Sequence, residues 1–160
     1  MDRLWAPWRM SYLSATRSPG SCIFCDMLAA SDDAKNLILC RRPQAFLVLN
    51  AFPYASGHLM AVVSRHVGCL EELTSAELVA MMGLVQDGLR ALTAVYGPHG
   101  FNIGVNQGRV AGAGVGSHLH VHVVPRWEGD TNFMTVVGDA RVLPESLETT
   151  FAKLAPAFFA

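Results

Sequence analysis

Between Ser117 and Arg126 the chain alternates imidazole with hydrocarbon: Ser117-His118-Leu119-His120-Val121-His122-Val123-Val124-Pro125-Arg126. On a β-strand every second side chain shares one face. His118, His120 and His122 therefore stand in a row, about 6 to 7 Å apart per step. Aliphatic residues occupy the other face. A half-buried strand buries its apolar side and wets the opposite one. Here the side expected to meet water is built from the one side chain that titrates near neutrality. That is costly for a purely structural strand and useful for a catalytic one.

An imidazole can attack a phosphoryl group and hold it covalently for one step. His120 is the candidate nucleophile, with a neighbour on either side along the same face. For attack, one ring nitrogen must be bare while the other donates to an acceptor such as a backbone carbonyl. His122 is the candidate for orienting substrate or stabilising charge on a departing phosphate. The competing reading is a solvated histidine face or chelation of one ion by all three. A straight strand spreads the outer pair too far for good zinc geometry.

A glycine-rich stretch, Gly108-Arg-Val-Ala-Gly-Ala-Gly-Val-Gly116, leads into this strand. Together with Gly104, its glycines let backbone approach a ligand and turn N–H groups, that of Gly114 among them, toward anionic oxygens. No Gly-Lys-Ser/Thr follows, so this is not a P-loop. A strand follows instead of a helix, so it is not a dinucleotide fingerprint. Asn106 and Gln107 supply amides, and Ser117 offers a hydroxyl. Asn102 shares a strand face with Gly104, and Arg126 follows the histidines.

Cys22-Ile-Phe-Cys25 offers two thiolates at zinc-knuckle spacing. The remaining ligands come from a pool of His58, His66, His99 and the outer triad histidines. A set of Cys22, Cys25, His66 and His118 would tie the N-terminal region to the histidine strand in a closed structural site. A reducible thiol pair is the alternative. Cys40 and Cys69 read as apolar filling.

The chain has 160 residues, 51% of them hydrophobic, which suffices for one domain over 1–160 with a true core. Thirteen acidic residues against twelve basic ones provide no broad positive field for nucleic acid. No leader-like apolar core opens the chain, and no uninterrupted apolar run reaches the roughly 18 residues of a membrane span. The expectation is a soluble cytoplasmic protein. Residues 1–20 read as irregular, with Trp5 and Trp8 suited to an interface. A short helix is expected within 22–30, and strands at Leu37–Cys40, Ala45–Leu49, His58–Val63, Phe101–Val105 and Leu119–Val124. A long helix is expected at Leu73–Val95, with Thr74 and Glu77 as a capping box and Leu78, Met81, Met82, Val85, Leu89 and Leu92 at helical spacing. One more strand within 129–144 and a helix at Glu145–Lys153 complete an α+β domain with a mainly antiparallel sheet.

The run His118-Leu-His120-Val-His122-Val-Val resembles the mark of the histidine triad family of nucleotide hydrolases and transferases. Asn50, Gly57-His58 and Asn102-x-Gly104 stand in the family's order. Leu4-Trp-Ala-Pro-Trp-Arg9 and Trp127-Glu-Gly-Asp-Thr-Asn-Phe-Met134 resemble its bacterial and archaeal diadenosine tetraphosphate phosphorylase-like subgroup. The resemblance implies a five-stranded antiparallel sheet with one long helix, a homodimer, and a covalent nucleotidyl intermediate on His120. It also implies His118 and His122 as the other triad members, and Asn50 near the sugar. It further implies Asn106 near phosphate oxygens, and zinc on Cys22, Cys25, His66 and His118. The chain departs from many members before the triad, where Gly112-Ala113-Gly114-Val115-Gly116-Ser117 replaces Gly-Gln-Ser/Thr-Val.

The reaction expected is cleavage of a dinucleoside polyphosphate such as diadenosine tetraphosphate by hydrolysis or phosphorolysis. The alternatives are hydrolysis of nucleoside phosphoramidates, or a nucleotide-binding regulatory protein with little turnover.

Overall fold

The computed structural model describes residues 21–130 and 143–158. Among these, five strands form one antiparallel sheet: β1 (Ile38–Arg41), β2 (Ala45–Leu49), β3 (Leu59–Val63), β4 (Gly100–Val105) and β5 (His120–Arg126). Their spatial order is β1-β2-β3-β5-β4. Helix α1 (Ile23–Ala29) precedes the sheet, α2 (Ser75–Tyr96) joins β3 to β4, and α3 (Leu147–Leu154) follows β5. The α+β architecture with its antiparallel sheet, long helix and shorter C-terminal helix is the one expected. Trp5, Trp8, the irregular 1–20 segment and most of the 129–144 strand lie outside the described residues.

The capping box forms as its sequence demands. Thr74 Oγ1 accepts the Glu77 N–H at 3.2 Å, and Glu77 Oε2 accepts the Thr74 N–H at 2.8 Å. Gly97 ends α2 in the left-handed region at φ 53°. The buried stripe of α2 is Met81, Leu84, Val85, Gly88, Ala91 and Leu92. Leu78 and Met82, expected on that stripe, are exposed. The sheet's narrow contact takes only one side of the helix, so the apolar arc is wider than the surface that covers it. By length and mean hydropathy (1.3) α2 is long and apolar enough to cross a membrane. In the fold its buried stripe lies on the sheet.

The histidine strand departs from expectation in one respect. Its aliphatic face, with Leu119, Val121 and Val123, joins α2 and the matching face of β2 and β3 in the main core. The opposite face is not wet. His118 is fully buried and His120 is 5% exposed. On that side Phe24 of α1 packs onto Phe46, Val48, Met60 and Val62 of β2 and β3, and these form a second apolar layer. For the same reason β2 and β3 are buried at every position. Cys40 packs half-buried against the main core, whereas Cys69 belongs to neither apolar cluster.

Candidate functional site

Register places the histidines. His120 lies opposite Val62 and His122 opposite Met60 on β3, with Gly104 of β4 beside His122. His118 falls just ahead of β5, where the Leu119 N–H donates to the Val67 carbonyl at 2.7 Å.

Backbone groups set the protonation of each ring. Asn50 Oδ1 accepts the Phe52 N–H at 2.9 Å, so its amide nitrogen is the atom facing His58 Nδ1 at 3.2 Å. The Tyr54 N–H donates to that same Nδ1 at 3.1 Å. Two donors on Nδ1 leave the His58 proton on Nε2, which donates to His122 Nδ1 at 3.0 Å. The proton of a neutral His122 is thereby on Nε2. Burial first, then the neighbouring His122 and His120 imidazoles, push His58 down to about 3, so it stays neutral.

His120 has the opposite tautomer. Its Nδ1 lies 2.9 Å from the His118 carbonyl, which only accepts. The proton sits on Nδ1 and Nε2 keeps its lone pair. Burial lowers the His120 pKa, with the His118 carbonyl opposing. A neutral ring with a bare Nε2 thus stands beside one whose proton is on Nε2, their centroids 4.8 Å apart. The acceptor expected for the His120 ring is the His118 carbonyl.

Two depressions meet at His122. An apolar slot is lined by Phe24, Met27, Asn50, Gly114, His120 and His122 among others. A shallower groove beyond His122 is lined by Asn102, Gly104, Asn106 and Arg126, and Tyr54 and His122 border both. Of the residues singled out earlier, Asn50, Gly114, His120 and His122 converge on the slot. Asn102 and Asn106 lie on the groove, where Asn102 Oδ1 accepts from Arg126 at 2.7 Å. Arg126 is also paired with Asp130 at 2.5 Å. Ser117 is exposed and lines neither depression.

His118 turns away from the slot toward the cysteines. Its Nε2–H donates to the Val63 carbonyl at 2.7 Å, which leaves Nδ1 bare at 3.2 Å from Cys22 Sγ and 3.6 Å from Cys25 Sγ. Cys25 Sγ is 3.3 Å from His66 Nδ1. The four ligand atoms all lie within 4.8 Å of one another. A tetrahedral zinc with two sulfurs and two nitrogens has edges of about 3.3 to 3.8 Å, so this donor set fits one ion and leaves no open position. His58, His99 and His122, the other members of the pool, are engaged elsewhere. His99 Nδ1 accepts the Glu128 N–H at 3.0 Å.

The loop bearing His66 is held in place on two sides. A Cβ on Gly68 would meet the Gly116 carbonyl at 2.9 Å, so only glycine allows this approach to the loop before His118. Arg65 grips Glu77 through both carboxylate oxygens at 2.8 and 3.0 Å. Hydrogen bonding from Arg65, then from Thr74, lowers Glu77 to about 2. Sequence reasoning placed His58 in the metal pool, in the expected strand His58–Val63 and in the family's Gly57-His58 order, and assigned no role to Phe24 or Tyr54. The Gly57-His58 order was the signal that pointed to His58.

A family model described as the HIT domain matches residues 31–129. A Mycobacterium tuberculosis protein named AP-4-A phosphorylase is 42% identical over 163 aligned positions, covering 97% of this chain and 83% of its own. An uncharacterized HIT-like protein of Methanocaldococcus jannaschii is 36% identical over 109 positions, covering 68% of this chain and 81% of its own. Among solved structures, a Zn-bound histidine triad family protein from Mycobacterium smegmatis matches with a TM-score of 0.70. That match covers 86% of this chain and 92% of the other at 24% identity, a likeness of fold.

Proposed function

The chain belongs to the HIT domain family, and from that premise we propose that it cleaves dinucleoside polyphosphates through a nucleotidyl-histidine intermediate on His120. The observation that carries this reading is the opposed pair of tautomers, a bare Nε2 on His120 beside a donating Nε2–H on His122, at the mouth of an apolar slot.

One nucleoside enters the slot, with its base against Phe24 and Met27 and its sugar near Asn50. The His120 Nε2 lone pair attacks the α-phosphorus. The bond from that phosphorus to the bridging oxygen breaks, and the oxygen leaves with the electron pair as part of the second nucleotide. His122 Nε2–H and the backbone N–H groups of the glycine-rich loop stabilise the charge that develops. The groove with Asn102 and Asn106 takes the departing chain. In the second step an acceptor oxygen attacks the same phosphorus and restores His120. With inorganic phosphate and diadenosine tetraphosphate the products are ADP and ATP; with water they are AMP and ATP. The relative named as a phosphorylase supports phosphate as the acceptor.

Zinc on Cys22, Cys25, His66 and His118 is part of the proposal, supported by the fit of the donor set. Four protein ligands make it structural: it braces the fold and takes no part in bond breaking. A cytoplasmic homodimer is proposed with it. Exposed Ile103 on the outermost strand β4 and exposed Val79 and Met82 on α2 support self-association.

The test is product analysis with diadenosine tetraphosphate, with and without inorganic phosphate, after acid quenching to trap labelled protein. Wild type should yield ADP plus ATP with phosphate and a nucleotidyl-protein adduct. His120→Asn should yield neither, and full turnover by that variant would refute the assignment.

A further inference from the structure

The segment that carries two of the four metal-binding thiols is also a wall of the slot. Cys22 and Cys25 face the metal cluster, while Phe24 and Met27, in the same short helix region, line the slot. Phe24 is 2% exposed and lies between the two sites. Its ring centroid is 5.3 Å from that of His118, edge-on at 71°, and 5.1 Å from that of His120 at 53°. One aromatic ring therefore touches a metal-binding histidine and the nucleophile.

Helix α1 has few other means of keeping that ring in place. It has seven residues and no side-chain cap at its N-terminal end. A helix this short is unstable without tertiary support. Arg41 pins the opposite end, its guanidinium donating to the carbonyls of Met27, Leu28 and Ala30 at 2.8 to 3.0 Å. At the N-terminal end the ties among the described residues are the packing of Cys22, Ile23 and Phe24 in the second apolar layer and the thiol–imidazole contacts that a bound ion would convert into coordinate bonds.

We propose that metal occupancy at Cys22, Cys25, His66 and His118 sets the affinity of the slot for a nucleoside monophosphate, with Phe24 as the positioning residue that transmits it to His120. This rests on the nucleotide reading of the slot. Binding linkage is reciprocal, so a bound nucleotide tightens zinc retention by the same factor that zinc tightens nucleotide binding.

The experiment measures the Kd for AMP by calorimetry on zinc-loaded and chelator-stripped wild type, with the fold of each checked by circular dichroism. Stripping zinc should weaken AMP binding about tenfold, a typical size for coupled sites. Zinc-loaded Phe24→Ala should keep its metal, bind AMP about as weakly as the stripped wild type, and lose the dependence on zinc. Phe24→Leu should recover part of it. If the stripped chain unfolds, the coupling is read in the loaded protein by competing zinc away with a chromogenic chelator. Wild type should then hold zinc about tenfold more tightly with AMP present, and Phe24→Ala should not. AMP binding that is indifferent to zinc, or zinc retention indifferent to AMP, overturns the coupling and leaves the slot a nucleotide site. Full coupling in Phe24→Ala overturns the role of that ring. AMP bound by neither folded form removes the nucleotide reading and this inference with it.

Discussion

His58 Nε2 lies 3.0 Å from His122 Nδ1, and this contact determines which nitrogen of His122 carries its proton. The two rings meet because Leu59 pairs with Val123, which sets the residue before β3 diagonally next to His122, the third histidine of the triad. The loop from Asn50 to Tyr54 then fixes His58 with one side-chain and one backbone donor. His58 lines neither the slot nor the groove; it holds the proton of a neutral His122 on Nε2.

Replacing it should therefore damage turnover more than binding. For His58→Gln, kcat on diadenosine tetraphosphate is expected to fall on the order of 10²-fold, the scale of a misplaced catalytic group. The Kd for AMP should change less than about threefold. Nitrogen-15 NMR of His122 should show the Nε2–H tautomer in wild type and a mixture in the variant. Unchanged kcat would rule out the relay.

Acid should destabilise the fold through these same rings. His58 is held at about 3 in the native state against an ordinary value of about 6.5. Burial lowers His118 and His120 as well. The unfolded chain therefore takes up protons that the native state refuses. The stabilisation is fully present above about pH 6.5 and is lost as pH falls toward 3, with His58 alone accounting for about 5 kcal/mol across that span. Urea midpoints measured from pH 7.5 to 4.5 should fall steadily, and His58→Gln should flatten the slope. A midpoint independent of pH would contradict the assigned burial.

Gly68→Ala tests the closure of the metal cluster from outside its ligands. The new methyl would meet the Gly116 carbonyl at 2.9 Å and push the His66 loop from the His118 loop. Zinc retention in a chelator competition should weaken about tenfold, equivalent to roughly 1.4 kcal/mol, while every ligand is still present. Equal retention in the variant and wild type would show that the approach is not needed.

The start of α2 should be sensitive to one carboxylate. Glu77→Ala removes both the Arg65 contacts and half of the capping box. Loss of a helix cap costs about 1 kcal/mol, and the urea midpoint should fall accordingly. Glu77→Gln keeps an acceptor for the Thr74 N–H and should recover part of the loss. Identical midpoints for wild type and Glu77→Ala would dismiss the cap as a source of stability.

Metal analysis supplies the simplest check. Protein purified without chelator should carry about one zinc per chain, and His66→Ala should lower that occupancy and the melting temperature together. A metal-free sample as stable as the wild type would remove the structural role.

The local chemistry was legible in the residues themselves. Period-two alternation placed the histidines on one strand face, the Thr74–Glu77 spacing marked the start of the long helix, and the Cys22–Cys25 spacing marked two thiols of a four-residue cluster. These signals act over a few residues, where backbone geometry alone relates one side chain to the next. Ring protonation, by contrast, depends on groups far away in sequence. His58 meets His122 across 64 positions, and His118 meets the Val63 carbonyl across 55. The buried histidine face has the same origin, since Phe24 reaches it only after α1 folds onto the sheet. Short-range pattern determined which residue types were available. Strand register and the second apolar layer decided which nitrogens are bare, because a hydrogen bond forms between atoms that touch and sequence separation carries no distance.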